Sequence, residues 1–137
     1  TTAAVLLEGI LQTAPGDLNA RILLADTCYY GKRYREAIEQ YRILEKERLS
    51  PGRSGRVLVR KGWSHNWLGE PEQAVAAFEK ALSLNPDNPA ALYGLGMVSR
   101  RLGDSARARE YLEAFLKLRP EGRQAGKARN VLGRLGN

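Results

Sequence analysis

One cysteine and one histidine are all that this chain of 137 residues contains of those two types. Cys28 alone excludes an internal disulfide framework and a cysteine-based zinc site. His65 alone excludes a two-histidine metal site within one chain. Long apolar runs are also missing. The longest, Ala3–Leu7, falls far short of the roughly 20 residues a helix needs to cross a bilayer. Strand signals are scarce: there is no useful alternating Val/Ile/Thr/Tyr segment and no Asn-Gly or Asp-Gly hairpin turn. Neither a paired-carboxylate pattern nor a phosphate-binding glycine loop is present. No catalytic constellation can be built from these parts, so an enzyme is not expected, and no catalytic residue, metal or cofactor is assigned. A chain that opens on Thr1-Thr2 rather than methionine is expected to be a piece of a longer protein, with an upstream signal or anchor left open.

What remains has globular composition, 43% hydrophobic and 27% charged, which is unlike a disordered chain. The length suits one domain. The net charge of +7 is unevenly spread. Residues 48–67 carry five basic side chains and no acidic one, and residues 100–137 carry ten basic against four acidic. Residues 1–47 and 68–99 are each net acidic. The two basic patches can attract nucleic acid, anionic lipid or an acidic protein segment, or can simply be a soluble arginine-rich surface.

Apolar residues recur at helical spacing throughout, as in Ala74, Val75, Phe78, Ala81 and Leu82. Turn signals such as Pro15-Gly16-Asp17, Gly31-Lys32, Gly69-Glu70-Pro71 and Gly103-Asp104 divide the pattern into about eight helices. Connections this short predict antiparallel helical hairpins. The chain also repeats itself. Gly62 returns as Gly96, Gly69 as Gly103, Ala74 as Ala108 and Pro86 as Pro120, each 34 residues on. From Ala37 to Ala74 the step is 37, which places about three extra residues near Arg48–Gly55.

A helix–turn–helix period of 34 with these anchors resembles the tetratricopeptide repeat. The clearest copy runs Leu92, Leu95-Gly96, Ser99, Ala108, Leu112 and Pro120. The copy before it runs Leu58, Lys61-Gly62, His65, Ala74, Phe78 and Pro86, and an earlier one runs Arg21, Leu24-Ala25, Cys28, Ala37, Tyr41 and Pro51. The resemblance implies an all-α solenoid, a right-handed superhelix of stacked hairpins in one domain. Its expected parts are a half-repeat at 1–17 holding only a second helix, repeats at 18–54, 55–88 and 89–122, and a closing helix at 123–137.

Local physics supports that reading. Gly62, Gly96, Ala25, Ala37, Ala74 and Ala108 are small where paired helices approach, and Tyr41, Phe78 and Leu112 supply bulk between hairpins. Pro51, Pro86 and Pro120 are expected to end helices, and Asp17 and Asp104 to cap the next ones. The segment Arg48–Arg56 reads either as a long loop or as an extension of the preceding helix. Lys61 is expected to pack its stem and release its amine. His65 and Cys28 are expected as packed residues. Ala3, Leu7 and Ile10 form an apolar end through which the chain can self-associate.

In the family that this chain resembles, the first helix of each hairpin lines a concave groove that holds peptides. Projected onto this sequence, the groove row is Asp26 and Tyr30, with Asn19 and Tyr29 beside them; then Arg56, Arg60, Trp63 and Trp67; then Tyr93, Met97, Arg100 and Arg101. Lys127 and Arg134 extend it. Tyr29 and Tyr30 are adjacent, so only one is expected to point fully inward. The tryptophans differ in phase from Leu58, Gly62 and His65, which favours the groove over the core. The lysine and asparagine positions by which chaperone-binding members grip a terminal carboxylate carry Ile22 and Asp26 here, which disfavours that partner. The expectation is a non-catalytic module that binds an acidic segment bearing an aromatic or apolar anchor. The alternative is a nucleic-acid-binding repeat that uses stacking and arginines.

Overall fold

Residues 2–135 are described by a computed structural model. Eight helices follow one another among them with no strand: α1 (Thr2–Thr13), α2 (Leu18–Tyr30), α3 (Tyr34–Glu45), α4 (Pro51–Trp67), α5 (Pro71–Leu84), α6 (Pro89–Arg101), α7 (Ser105–Leu118) and α8 (Arg123–Arg134). Each helix packs on the next in sequence. In addition α4 touches α6 and α6 touches α8, which places these helices side by side on one flank. This is the stacked-hairpin solenoid that the 34-residue period predicts. None of the helices is long and apolar enough to cross a membrane.

The starts of the helices are chemically marked. Asp17 and Asp104 accept from the backbone N–H groups of Ala20 and Arg107, as anticipated, and Ser50 and Asn88 do the same for Arg53 and Ala91. Ser50 also explains a correction. Pro51 does not end α3 but is the first residue of α4, where its missing N–H costs nothing. The extra residues therefore belong neither to a long loop nor to α3. They lengthen α4 to 17 residues, so that it begins before the expected boundary at 55.

The hairpin turns share one backbone requirement. Gly69 and Gly103 take positive φ values of 78° and 81° between the paired helices, and the equivalent place in the first hairpin holds Lys32 at 63°. A β-carbon in that region costs about 1–2 kcal/mol. Lys32→Gly is expected to stabilise the protein by about 0.5–1 kcal/mol, because relief of strain exceeds the added unfolded-state entropy. Urea denaturation of the two proteins checks the sign.

Between hairpins the bulky positions are fully enclosed: Tyr41, Phe78 and Leu112 are each 0% exposed. A β-carbon on Gly62 or Gly94 would meet the Phe78 ring at 2.8 or 2.5 Å, and one on Gly96 would run into Leu112. Glycine is needed at these points for close approach.

Polar ties about one repeat apart reinforce the stack. Arg35 pairs with Glu70 at 3.2 Å, Lys80 with Glu45 at 3.3 Å, and Arg101 with Asn66 at 2.6 and 2.7 Å. Lys61 does not release its amine as anticipated. It bonds Glu45 at 2.6 Å with both groups largely shielded, because the carboxylate arrives from α3. Buried His65 lies 2.9 Å from Glu70, whose ionised carboxylate only accepts, so the ring donates from Nδ1. That bond, with Arg35 adding to it, holds the Glu70 carboxyl below its usual range. Cys28 is buried beneath the Arg33 guanidinium. At the first end of the stack Leu7 is buried against α2, and Val5, Leu6 and Ile10 form the exposed apolar face.

Candidate functional site

The flank built from α2, α4, α6 and α8 encloses a cavity of about 730 Å³. Tyr29 of α2, Trp63, Asn66 and Trp67 of α4, Tyr93, Met97, Arg100 and Arg101 of α6, and Gln124 and Lys127 of α8 line it. Of the groove residues expected from the sequence, the structure brings Tyr29, Trp63, Trp67, Tyr93, Met97, Arg100, Arg101 and Lys127 into this one space.

Aromatic rings form its wall in a graded series. Trp67, 59% exposed, stacks on Trp63 at 5.9 Å with 22° between planes. The Trp63 ring stands edge-on to Phe78 at 5.3 Å and lies 6.1 Å from Tyr93, which in turn contacts buried Phe115 at 5.1 Å. Trp63 thus belongs to both core and cavity, contrary to the expectation that it avoids the packing face. Its position one residue after Gly62 brings its ring edge within reach of the same phenyl group that the glycine admits. Tyr93 is only 6% exposed, and burial raises its hydroxyl pKa. Half-buried Tyr29 is raised for the same reason, with its neighbours Tyr34 and Tyr30 adding to the effect.

The cations play different parts. Arg101 spends one nitrogen on the Asn66 carbonyl and side-chain oxygens and so fixes the end of α4. Arg100 and Lys127 are exposed and have no ion-pair or hydrogen-bond partner for their side chains among the described residues. No carboxylate lines the cavity, so the formal charges on its lining side chains are all positive.

Six of the expected groove residues lie elsewhere. Asp26, Arg56 and Arg60 line a second, smaller cavity of about 220 Å³ with Asn19, Ile22, Leu23, Arg53 and Val57. There Asp26 is engaged twice, by Arg60 at 2.6 Å and by the Tyr41 hydroxyl at 2.8 Å. Burial and the adjacent Asp26 charge raise the Tyr41 pKa. Burial works against the Arg60 charge, but Asp26 outweighs it and the guanidinium pKa is raised. Tyr30 is 69% exposed and lines neither cavity. Its hydroxyl accepts from Arg60 at 3.1 Å, and its ring lies 5.5 Å from that guanidinium. Of the adjacent tyrosines it is therefore Tyr29 that faces the larger cavity. Arg134 lines neither space.

Asn66 and Gln124 escaped the sequence reading although each had a signal. Asn66 lies one helical turn after Trp63, and Gln124 one turn before Lys127.

The family model described as the tetratricopeptide repeat matches residues 60–123 and, overlapping them, 97–135. Cellulose synthase operon protein C of Pseudomonas fluorescens (strain SBW25) is 36% identical over 69 residues, which is 50% of this chain and 5% of that protein. This chain therefore spans a small part of that relative's length. The crystal structure of MamA superposes with a TM-score of 0.79 at 22% identity, covering 95% of this chain and 77% of MamA. PcrH, crystallised in complex with the chaperone binding region of PopD, gives 0.76 at 17% identity, over 86% of this chain and 90% of PcrH.

Proposed function

The chain belongs to the tetratricopeptide repeat family, and from that premise we propose that it is a non-catalytic interaction module whose larger cavity holds an acidic segment with an aromatic or apolar anchor. One observation carries this reading. The uncommitted cations Arg100 and Lys127 stand beside the open Trp63–Trp67 stack, in a space lined by no carboxylate. Aromatic and arginine side chains gathered at the centre of a concavity are the usual composition of a binding hot spot. The PcrH structure supports the reading in kind, since that protein was crystallised with a segment of another.

An aromatic side chain of the ligand would lie on the indole pair, and a neighbouring carboxylate would meet Arg100 and Lys127. Such charges also speed encounter, in a manner that salt suppresses. Arg100→Glu, at an exposed position, is expected to weaken binding of a peptide rich in Glu and Phe about tenfold while leaving the helical circular dichroism unchanged. Isothermal titration at low and moderate salt measures it. Unchanged affinity would remove the electrostatic half of the proposal. Displacement of the peptide by short single-stranded RNA at comparable concentration would favour a nucleic-acid ligand instead.

A further inference from the structure

The two cavities share their walls. Helix α4 lines the smaller one with Arg53, Arg56, Val57 and Arg60, and the larger one with Trp63, Asn66 and Trp67. Helix α2 does the same, with Ile22, Leu23 and Asp26 followed by Tyr29. The Asp26–Arg60 ion pair of the smaller cavity, with the Tyr30 ring held against Arg60, lies one helical turn before Tyr29 and Trp63 of the larger one.

The smaller cavity has its own ligand chemistry. Its apolar lining is aliphatic: buried Val57, half-buried Ile22 and exposed Leu23. Arg53 and Arg56 are exposed, and neither guanidinium has an ion-pair or hydrogen-bond partner among the described residues. The single carboxylate there, Asp26, is already matched by Arg60. Two positive charges therefore remain uncompensated above an aliphatic surface.

We infer that the two cavities form one bipartite site, which reads an extended segment carrying an aromatic residue and an acidic residue about three positions apart. This rests on the proposal that the larger cavity holds such a segment. Two rows give the spacing. Arg56 and Trp63 are seven residues apart on α4, and Ile22 and Tyr29 are seven apart on α2. At about 1.5 Å per residue, each pair spans about 10 Å. An extended chain covers that distance in about three residues at roughly 3.3 Å each. A helical ligand would need about seven residues to cover the same distance, and the smaller cavity, about 220 Å³, has room for a side chain rather than for a helix backbone. The aromatic group enters the tryptophan cavity, the chain passes the Tyr30–Arg60 pair, and the carboxylate meets Arg53 and Arg56.

The test uses the purified chain and fluorescence anisotropy with labelled peptides of equal composition. Each peptide carries one Phe-Glu pair, so that Arg100 and Lys127 are met alike in all, and one Glu-Glu pair set directly beside it, about three residues from the Phe in either order, or about seven away. One of the orders at about three is expected to bind about tenfold more tightly than the adjacent arrangement. The Arg53→Glu/Arg56→Glu variant is expected to erase that advantage and leave the adjacent peptide unaffected. Equal affinity at all spacings, with Trp67→Ala still weakening every peptide, overturns the bipartite site and leaves the proposed function standing. Tightest binding at about seven residues overturns the extended register. If Trp67→Ala changes nothing for any peptide, both readings fall.

Discussion

Phe78→Ala is expected to lower the unfolding free energy by about 3–5 kcal/mol, the largest loss from any single truncation in the stack. The ring is 0% exposed and lies under two backbone surfaces that only glycine leaves open, at Gly62 on α4 and Gly94 on α6. It also supports the edge-on contact with Trp63 at 5.3 Å. Truncation would open a hole where three successive helices meet, and neither glycine offers a side chain to fill it. Phe78→Leu, which keeps most of the volume, is expected to cost about 1–1.5 kcal/mol. Urea denaturation followed by circular dichroism gives both values. Because Trp63 leans on Phe78, the alanine variant is also expected to bind peptide less well in proportion to the lost order of that indole.

Trp67→Ala is expected to do the reverse, leaving stability nearly unchanged while weakening binding by about 2 kcal/mol, roughly thirtyfold. At 59% exposure the indole contributes little to the core. It does form the outer face of the stack with Trp63, the surface on which an incoming aromatic group would rest. Trp63→Ala would confound the two effects, since that ring contacts Phe78 and Tyr93 as well as lining the cavity. Peptide titrations of both variants, each referred to its own unfolding midpoint, separate packing from recognition. A Trp67→Ala protein of native stability and undiminished affinity would place the ligand elsewhere.

The sequence disclosed most where a contact obeys the repeat. Gly62 and Phe78, or Gly96 and Leu112, each sit 16 residues apart in successive copies, so their small-against-large pairing could be read before any coordinates. Pro51 misled because proline is equally at home just past one helix and at the first position of the next. Only the Ser50 side chain, bonded to the Arg53 N–H, decides between them. The destinies of Lys61, Arg101 and Asp26 were hidden for a different reason. Their partners Glu45, Asn66 and Arg60 lie on other helices; the last two stand about one repeat away, but the period gives which helices stack and not which polar side chains meet. Phase turned Trp63, Trp67, Tyr93, Met97 and Arg100 toward one side, and all five line one cavity. It could not say that Trp63 and Tyr93 reach back into the core, nor that α4 lines two cavities rather than one.

The sequence contains two tryptophans, and both line the larger cavity. Both indole N–H groups of the protein therefore belong to residues of that cavity. The most direct measurement is a titration of ¹⁵N-labelled protein with a tryptophan-free peptide bearing Phe and Glu, following the two indole N–H resonances. The predicted result is a saturable shift of both resonances, with the same midpoint as calorimetry and with the Trp67 signal moving further. Saturable binding by calorimetry with both indole resonances unmoved would contradict the assignment of this cavity as the binding site.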